Sequence, residues 1–266
     1  MSTLAVIGAG VMGETLIAGL LRAGWAADRI TAADRHAPRL VELETRHGIR
    51  TAGTREAAAQ ADTVVIVVKP QDAGEVLPEV GASIRPGTLV VSLCAGLSTA
   101  RIEAAMPAGT PVVRVMPNTP AQVDEGMAAI SAGASATAEH LDHVTELLSA
   151  VGKVVTVPEK YQDAVTAISG SGPAYLFFVV EAMIDAGVML GLPRDVSTTL
   201  VVQTMYGSAK LLSDSGEHPT VLRERVTSPG GTTAAALREL EVHRVKAAFM
   251  TAMEAARDRS RALASS

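Results

Sequence analysis

The chain has 266 residues, of which 48% are hydrophobic and only 3% aromatic, and its formal net charge is −5. This length is enough for a sizeable core and favours two domains, while the acidic balance without a basic block argues against nucleic acid as the main partner. The single cysteine, Cys94, excludes an intrachain disulfide framework, and an N-terminus without a signal-peptide pattern predicts a cytoplasmic protein.

The N-terminal segment combines a strand, a glycine turn and a helix. Apolar residues Leu4–Ile7 predict a buried strand, the pattern Gly8-x-Gly10-x-x-Gly13 follows, and an apolar helical pattern comes next. This order is typical of a dinucleotide-binding βαβ unit, in which the helix N-terminus faces a pyrophosphate. The predicted cofactor contacts in this segment are Gly8, Gly10, Val11, Met12 and Gly13.

The second predicted strand, Ile30–Ala33, ends at an acidic residue, Asp34. A carboxylate at this position faces the adenine ribose and favours NAD, because it can accept a hydrogen bond from the 2′-hydroxyl. Arg35 follows Asp34 directly, and Thr54-Arg55 comes after the next segment; Arg35 and Thr54 are both predicted to contact the cofactor. An arginine beside the adenine ribose can hold a 2′-phosphate, although Arg35 can equally be a solvated turn charge.

The rest of the first half alternates strand and helix patterns. Continuous runs of valine and isoleucine indicate strands that are covered on both faces of a parallel sheet. We therefore predict a doubly wound α/β domain of Rossmann type over residues 1–157. The further strands are predicted at Thr63–Val68, Thr88–Ser92, Val112–Met116, Met127–Ser131 and Lys153–Val157, and helices at Pro38–His47, Ala73–Ile84 and Ala138–Ala150.

After Pro158 the sequence predicts only helices, so residues 158–266 form a second, all-helical domain. The apolar run Ala174–Val180 is too short and too close to Glu181 and Asp185 for a membrane span. We expect this helix to be buried in a core or against another subunit. The helices are predicted at 160–169, 172–190, 194–213, 218–226, 231–240 and 242–262.

Three polar turns follow predicted strands of the sheet. Each alone is an ordinary strand-to-helix turn, but ligands bind beyond the carboxyl ends of parallel strands, so together they would line the path from Gly10 to a nicotinamide ring. Cys94 lies in one of them, and we interpret it as inert packing rather than as a nucleophile. The residues predicted to bind the cofactor in these turns are Val68, Lys69, Pro70, Ala95, Gly96 and Asn118.

A second candidate site lies near the end of the chain. Ser228-Pro-Gly-Gly-Thr-Thr233 precedes a helical pattern, and its N–H groups and hydroxyls could surround a small anion such as a carboxylate. The alternative interpretation is a threonine N-cap behind a glycine hinge. No metal is predicted, because His140 and His143 lack a third ligand and are better explained as a solvated helix face.

The stretch Ser228–Leu240, SPGGTTAAALREL, resembles the signature of pyrroline-5-carboxylate reductase. Other segments resemble that family in the same order, so that the resemblance covers nearly the whole chain. They are Gly8–Gly13, Val68–Pro70, Ala95-Gly96, Met116–Pro120, Asp163–Tyr175 and Gly216–Pro219.

The resemblance implies a Rossmann domain followed by a helical dimerisation domain, with dimers that often assemble further. It implies reduction of L-1-pyrroline-5-carboxylate to L-proline, the last step of proline biosynthesis, without metal or flavin. The active site would join the cofactor domain of one subunit to the helical region of its partner. Ser228 and the N–H groups of Gly230, Gly231, Thr232 and Thr233 would hold the substrate carboxylate, with Thr233 near the ring nitrogen, while Asn118 and Lys69 would lie nearer the cofactor.

The sequence leaves alternatives open for both the cofactor and the substrate. NADPH is the usual donor in the family and NADH serves some members, but Asp34 stands where NADPH users often carry a small hydroxyl residue. We expect NADPH, with Arg35 compensating for Asp34. One methylene changes pocket affinity by only about 1–3 kcal/mol, so the six-membered piperideine carboxylate is an alternative substrate. A non-catalytic NAD(P)-binding protein is a further alternative.

Overall fold

The computed structural model describes residues 2–264 and divides them into two compact units. One unit, termed the sheet unit, contains the chain up to Ser171 together with the end of the last helix from Ala256. The other, termed the helical unit, contains Gly172–Ala255. The sheet unit therefore extends beyond Val157, where we predict the domain boundary from the end of the last strand.

The sheet unit is built on one eight-stranded sheet. Its strands are β1 Leu4–Ile7, β2 Ile30–Ala33, β3 Arg50–Thr51, β4 Thr63–Ile66, β5 Leu89–Ser92, β6 Val112–Met116, β7 Gly126–Ala132 and β8 Gly152–Thr156. Their order in the sheet is β3-β2-β1-β4-β5-β6-β7-β8. Every neighbouring pair is parallel except β6 and β7. This topology confirms the predicted doubly wound α/β class.

Helices cover both faces of this sheet. They are α1 Val11–Arg22, α2 Ala37–His47, α3 Thr54–Gln60, α4 Ala73–Gly81, α5 Thr99–Glu103, α6 Ala138–Ser149 and α7 Gln162–Val165. Side chains alternate along β1, so that Leu4 and Val6 pack into one buried cluster while Ala5 and Ile7 pack into the other. Both faces are apolar for this reason, as the valine and isoleucine runs predict.

The reversal of direction at β7 follows from the length of its connection. A parallel return from β6 would need a crossover of a dozen or more residues, whereas the chain between Met116 and Gly126 forms only a short 3₁₀ turn, Thr119–Val123. Asp124 ends that turn in the left-handed region, at φ 61°. The sequence predicts a strand here but not its direction.

A buried polar cluster ties the segment after β8 to the sheet. The Glu159 carboxylate accepts hydrogen bonds from the Thr99 N–H (2.7 Å) and hydroxyl (2.6 Å), and it pairs with Arg114 at 3.2 Å. Further along, the Gln162 amide donates to the Ser131 hydroxyl at 2.8 Å. These contacts explain why residues up to Ser171 belong to the sheet unit although they are helical.

The ionisation of Glu159 should therefore stabilise the sheet unit. Burial alone would raise the pKa of Glu159, but hydrogen bonds from Thr99 and from Arg114 outweigh it and hold the pKa below its ordinary value of 4.5. A carboxyl whose folded pKa is lowered contributes stability above its unfolded pKa, and that contribution is lost as the pH falls through the folded value.

We expect Glu159→Gln to lower the free energy of unfolding by about 2 kcal/mol at pH 7, because Arg114 is left buried without its charge partner. Fluorescence of Trp25, the only tryptophan, can follow denaturant unfolding of this unit. The difference from wild type should shrink below pH 4.5. Exposed Glu125→Gln is the control, and an equal effect in both variants would contradict the assignment.

The helical unit has almost no core of its own. Its helices are α8 Gly172–Met189, α9 Arg194–Ser215, α10 Pro219–Arg225, α11 Thr232–Val242 and the first part of α12 Val245–Ala264. Within α8–α11 only Ser197 and Val201 are buried. Ser197 donates to the Ile184 carbonyl at 2.9 Å, and a Cβ on Gly187 would fall 2.1 Å from its hydroxyl, so α8 and α9 lie in close contact.

Large apolar side chains remain exposed on these helices. Phe177 and Phe178 on α8 are 68% and 71% exposed. The stretch Glu159–Met189 is also long and apolar enough to cross a membrane, with a mean hydropathy of 1.4, but this criterion uses length and composition only and a single such helix is weak evidence for a membrane span. Contiguous apolar surface of this kind marks an interaction surface in a soluble protein.

Candidate functional site

The glycine turn after β1 has the close-packed geometry that its three glycines predict. Gly8 adopts φ +98°, and a Cβ there would lie 2.9 Å from the Val67 backbone. A Cβ on Gly13 would lie 2.2 Å from the Gly8 carbonyl oxygen, so α1 can approach the turn only without a side chain at this position. A Cβ on Gly10 would meet nothing within 4 Å, which leaves the space in front of the turn open.

Helix α1 begins beside that open space without a side-chain cap. Gly10 is its N-cap, and the first helical hydrogen bond runs from the Glu14 N–H to the Gly10 carbonyl at 2.9 Å. The N–H groups of Val11, Met12 and Gly13 therefore lack intrahelical acceptors and carry the positive end of the helix dipole. This chemistry fits a pyrophosphate group.

The turns that the sequence predicts as cofactor contacts follow parallel strands that lie side by side. Backbone hydrogen bonds extend this alignment past the strand ends: Gly8 donates to Ala33 at 2.8 Å, and Val67 donates to Ile7 at 2.8 Å. Because carboxyl ends of parallel strands share one edge, the turns after β1, β2, β4, β5 and β6 lie along it. This edge holds Asp34, Arg35, Val68, Lys69, Pro70, Ala95, Gly96 and Asn118.

Asp34 is held by the protein itself. Its Oδ2 accepts from the Ala9 N–H and its Oδ1 from the His36 N–H, both at 2.9 Å. Burial would raise the pKa of Asp34, but these hydrogen bonds prevail and lower it, so the carboxylate stays charged near neutral pH. The side chain is 14% exposed.

Arg35 and Thr54 differ in exposure. The Arg35 guanidinium is 67% exposed and pairs with Asp72 at 3.0 Å, on the 3₁₀ turn Pro70–Asp72. Thr54 begins α3 and is half-buried. Arg35 therefore combines solvent exposure with a position directly after β2.

Asn118 makes two hydrogen bonds within the sheet unit. Its side-chain oxygen accepts from the Met127 N–H at 2.8 Å, and its amide donates to the Ser169 carbonyl at 3.2 Å. It thereby joins the start of β7 to the π turn Thr166–Gly170. Its contact with a cofactor remains a prediction.

The sheet unit also contains an open cleft of about 840 Å³ beside this edge. Pro70, Ala95 and Gly96 line it, and the last helix contributes Arg259. Arg101 on α5 lines it as well. No local pattern in the sequence points to either arginine, because only the three-dimensional fold brings α5 and the end of α12 to the same cleft.

Cys94 lies inside the sheet unit near this edge. It is 2% exposed, and its Sγ lies 3.2 Å from the Val68 carbonyl oxygen. Burial raises the pKa of the Cys94 thiol. A protonated, buried thiol is a poor nucleophile, which supports the packing role that we predict.

The Ser228–Thr233 segment forms the start of α11 in the helical unit. Gly230 adopts φ +70°, and the Gly231 N–H donates to the Ser228 carbonyl at 3.0 Å. Gly231 is the N-cap and α11 begins at Thr232, so the alternative of a threonine N-cap is wrong. The N–H groups of Thr232 and Thr233 lie in the first helical turn, where no intrahelical acceptor is available.

The expected solvated face of α6 is wrong for His143 but not for His140, whose contacts lie at the exposed start of the helix. His140 takes part in the cap of α6, where its Nδ1 accepts from the Thr137 N–H at 3.0 Å. His143 is half-buried and lies 3.1 Å from the Thr63 hydroxyl, and burial lowers its pKa. The described residues contain no group of three or more potential metal ligands.

Comparison with known proteins accounts for both halves of the chain. Residues 159–263 match the family model described as pyrroline-5-carboxylate reductase dimerisation, and residues 3–96 match the model described as NADP oxidoreductase, coenzyme F420-dependent. The pyrroline-5-carboxylate reductase of Corynebacterium melassecola is 46% identical over 99% of both chains. The chain belongs to the pyrroline-5-carboxylate reductase family.

Solved structures agree with this membership of the pyrroline-5-carboxylate reductase family. The enzyme from Coxiella burnetii superposes with a TM-score of 0.94, at 33% identity over 98% of both chains. The Plasmodium falciparum enzyme, solved with NADP bound, gives 0.88 at 32% identity over 99% of this chain and 98% of its own. The chain is thus an NAD(P)H-dependent oxidoreductase that acts on a C=N bond.

Two glycine-to-alanine substitutions, at Gly10 and Gly13, test the geometry of the turn, because an added methyl group has different surroundings at the two positions. We expect Gly10→Ala to keep the wild-type free energy of unfolding within about 0.5 kcal/mol, because the added methyl meets no neighbouring atom. It should nevertheless weaken NADP⁺ binding about tenfold or more, by occupying the space in front of the turn. Titration calorimetry and denaturant unfolding measure the two quantities separately.

Gly13→Ala is the comparison variant. Its methyl would overlap the Gly8 carbonyl, so we expect it to lower both stability and dinucleotide affinity. Unchanged NADP⁺ affinity in Gly10→Ala would contradict the placement of the pyrophosphate.

Proposed function

We propose that the chain transfers hydride from NADPH to the C=N bond of L-1-pyrroline-5-carboxylate and releases L-proline. The observation that carries the proposal is the exposed N-terminus of α11, where Thr232 and Thr233 follow a glycine N-cap. It supplies a carboxylate site of the kind that an imino acid requires. Full-length similarity to pyrroline-5-carboxylate reductases supports the same reaction.

The dinucleotide, when bound, supplies the hydride. In this proposal the N–H groups of Val11, Met12 and Gly13 bind its pyrophosphate, and the turns at Lys69 and Ala95 orient its nicotinamide end. Orientation is the main catalytic task, because the reaction needs the donor and acceptor carbons in near contact.

NADPH is the proposed donor, with NADH as the weaker alternative. Two observations support this preference: the Plasmodium falciparum relative was solved with NADP bound, and the exposed Arg35 guanidinium can receive a 2′-phosphate. Asp34 opposes it through its negative charge, although both carboxylate oxygens already accept protein N–H groups. Arg35 has to overcome this repulsion.

Substrate binding and activation fall to the α11 segment. The proposed contacts to the substrate carboxylate are the Ser228 hydroxyl and the N–H groups of Gly230–Thr233. The Thr233 hydroxyl is placed near the ring nitrogen, where it orients the imine or donates a proton. A protonated imine accepts hydride more readily, because its positive charge is neutralised in the transition state.

We also propose a homodimer in which the α11 segment of one subunit completes the site on the sheet unit of the other. The dimerisation family model over residues 159–263 supports an oligomer, and the exposed Phe177 and Phe178 provide the apolar surface for it. Association of dimers into larger assemblies is the further expectation.

Initial rates test the proposed reaction directly. The purified protein should oxidise NADPH, measured at 340 nm, in the presence of L-1-pyrroline-5-carboxylate and form L-proline, with a higher kcat/KM for NADPH than for NADH. A higher kcat/KM for piperideine carboxylate would identify the six-membered ring as the substrate. Absence of turnover with either ring would favour the non-catalytic NAD(P)-binding alternative.

Thr233→Ala tests the substrate site. We expect kcat/KM to fall about tenfold or more, since one hydrogen bond to a charged ligand contributes about 1.5–3 kcal/mol. NADP⁺ affinity should stay within about twofold of wild type, because the change lies outside the dinucleotide turn. Thr251→Ala, which removes a hydroxyl bonded to its own helix, is the control, and a fall of similar size there would contradict the role of Thr233.

Mixed dimers test whether two subunits share a site. We expect a purified heterodimer of Gly10→Ala and Thr233→Ala subunits, carrying two different affinity tags, to recover about half of the wild-type activity, because one of its two sites has no substitution. Both parent homodimers should stay well below this level. Activity no higher than the parents would mean that each site is built from one subunit.

A further inference from the structure

Ala9, the residue between the first two glycines of the turn, is held from both sides. Its N–H donates to the Asp34 carboxylate and its carbonyl accepts from the Arg39 Nε, each at 2.9 Å. Ala9 is fully buried. Both partners come from the segment after β2, far from the turn in sequence, so the glycine pattern gives no hint of them.

Arg39 is itself held in place by carboxylates on two helices. One terminal nitrogen bonds Glu42 at 2.7 Å, and the other bonds Glu14 on α1. Arg46 bonds the opposite oxygens of the same two carboxylates, at 2.6 Å and 2.5 Å. Burial would raise the pKa of Glu14, but hydrogen bonds from Arg39, His47 and Arg46 bring it down to about 2, so the cluster stays charged.

The Ala9 carbonyl belongs to the peptide group that also carries the Gly10 N–H. Fixing this oxygen fixes the plane of the peptide, and with it the direction in which the Gly10 N–H points. Glycine residues do not restrict their own backbone, so an outside contact has to select one conformation. A turn that is ordered before binding loses less conformational entropy when the ligand arrives.

We propose that Arg39 is a positioning residue for the dinucleotide and that it holds the Ala9–Gly10 peptide in the orientation that receives the pyrophosphate. The inference rests on the proposed function, since it concerns the same cofactor. NADPH and NADH share the pyrophosphate, so loss of Arg39 weakens both to the same extent.

Arg46 provides the matched control. It pairs with the same two carboxylates, Glu14 and Glu42, but makes no bond to Ala9. Replacing either arginine removes one positive charge from the cluster, and only the Arg39 change releases the Ala9 carbonyl. Comparison of the two therefore separates peptide positioning from simple charge.

The experiment is titration calorimetry of wild type, Arg39→Gln and Arg46→Gln with NADP⁺ and with NAD⁺. We expect Arg39→Gln to raise Kd about tenfold for both dinucleotides, which corresponds to one charge-assisted hydrogen bond. Arg46→Gln should stay within about twofold. At saturating NADPH the kcat of Arg39→Gln should equal that of wild type, because positioning affects binding and not the hydride step.

Three results would overturn the inference. Equal losses in Arg39→Gln and Arg46→Gln would assign the effect to charge, a loss confined to NADP⁺ would assign Arg39 to the 2′-phosphate, and wild-type affinity in Arg39→Gln would show that the contact is dispensable. Failure of the wild-type protein to bind either dinucleotide would overturn the proposed function itself.

Arg39→Lys keeps the test usable if Arg39→Gln does not fold. Lysine retains the charge, but its donors lie on one nitrogen, whereas Arg39 reaches the Ala9 carbonyl, Glu42 and Glu14 with three separate nitrogens of a planar fork. We expect a weakening of about threefold for both dinucleotides, and unchanged affinity in this variant would also overturn the inference.

Discussion

Both candidate anion sites depend on helices that start without a side-chain cap. Gly10 precedes α1 and Gly231 precedes α11, and neither can turn a side-chain oxygen back onto the first helical turn. At α5, by contrast, the Ser98 side chain accepts a hydrogen bond from the Arg101 N–H and caps the helix. The uncapped N–H groups have to find another acceptor, and a phosphate or carboxylate is the acceptor that best matches their dipole. Gly53 precedes α3 in the same way, so a glycine N-cap alone does not make an anion site. At Gly10 and Gly231 the glycine N-cap coincides with the segments in which the sequence predicts cofactor and substrate contacts.

Sequence reasoning succeeds where the signal is local. The glycine turn, most of the strands and the helical second half are all written in short patterns of spacing and hydrophobicity, and the structure agrees with them. It fails for β3, which has only two residues and exists because Thr31 and Ala32 pair with Arg50 and Thr51. No periodicity can appear in so short a segment.

The long-range polar contacts in the sheet unit could not be predicted from the sequence either. Arg39 reaches Ala9 across 30 positions, and Glu159 reaches Thr99 across 60. His143 misleads for the same reason, because its spacing suggests a helix surface while Thr63 on a distant strand contacts it. Contacts between residues that are distant in sequence are set by the tertiary structure, and a single sequence contains both residues of each pair without showing that they meet.

The shortness of β3 limits the pairing of this edge of the sheet with another copy of the protein. An outer strand of two residues offers too few free peptide groups for another polypeptide to extend the sheet. At the opposite edge of the sheet, β8 carries the exposed Lys153, whose charge disfavours pairing of this edge with a strand of another molecule. Continuous β-structure between molecules is therefore disfavoured at these two edges, whereas α8 and α9 expose large apolar side chains such as Phe177, Phe178 and Leu200.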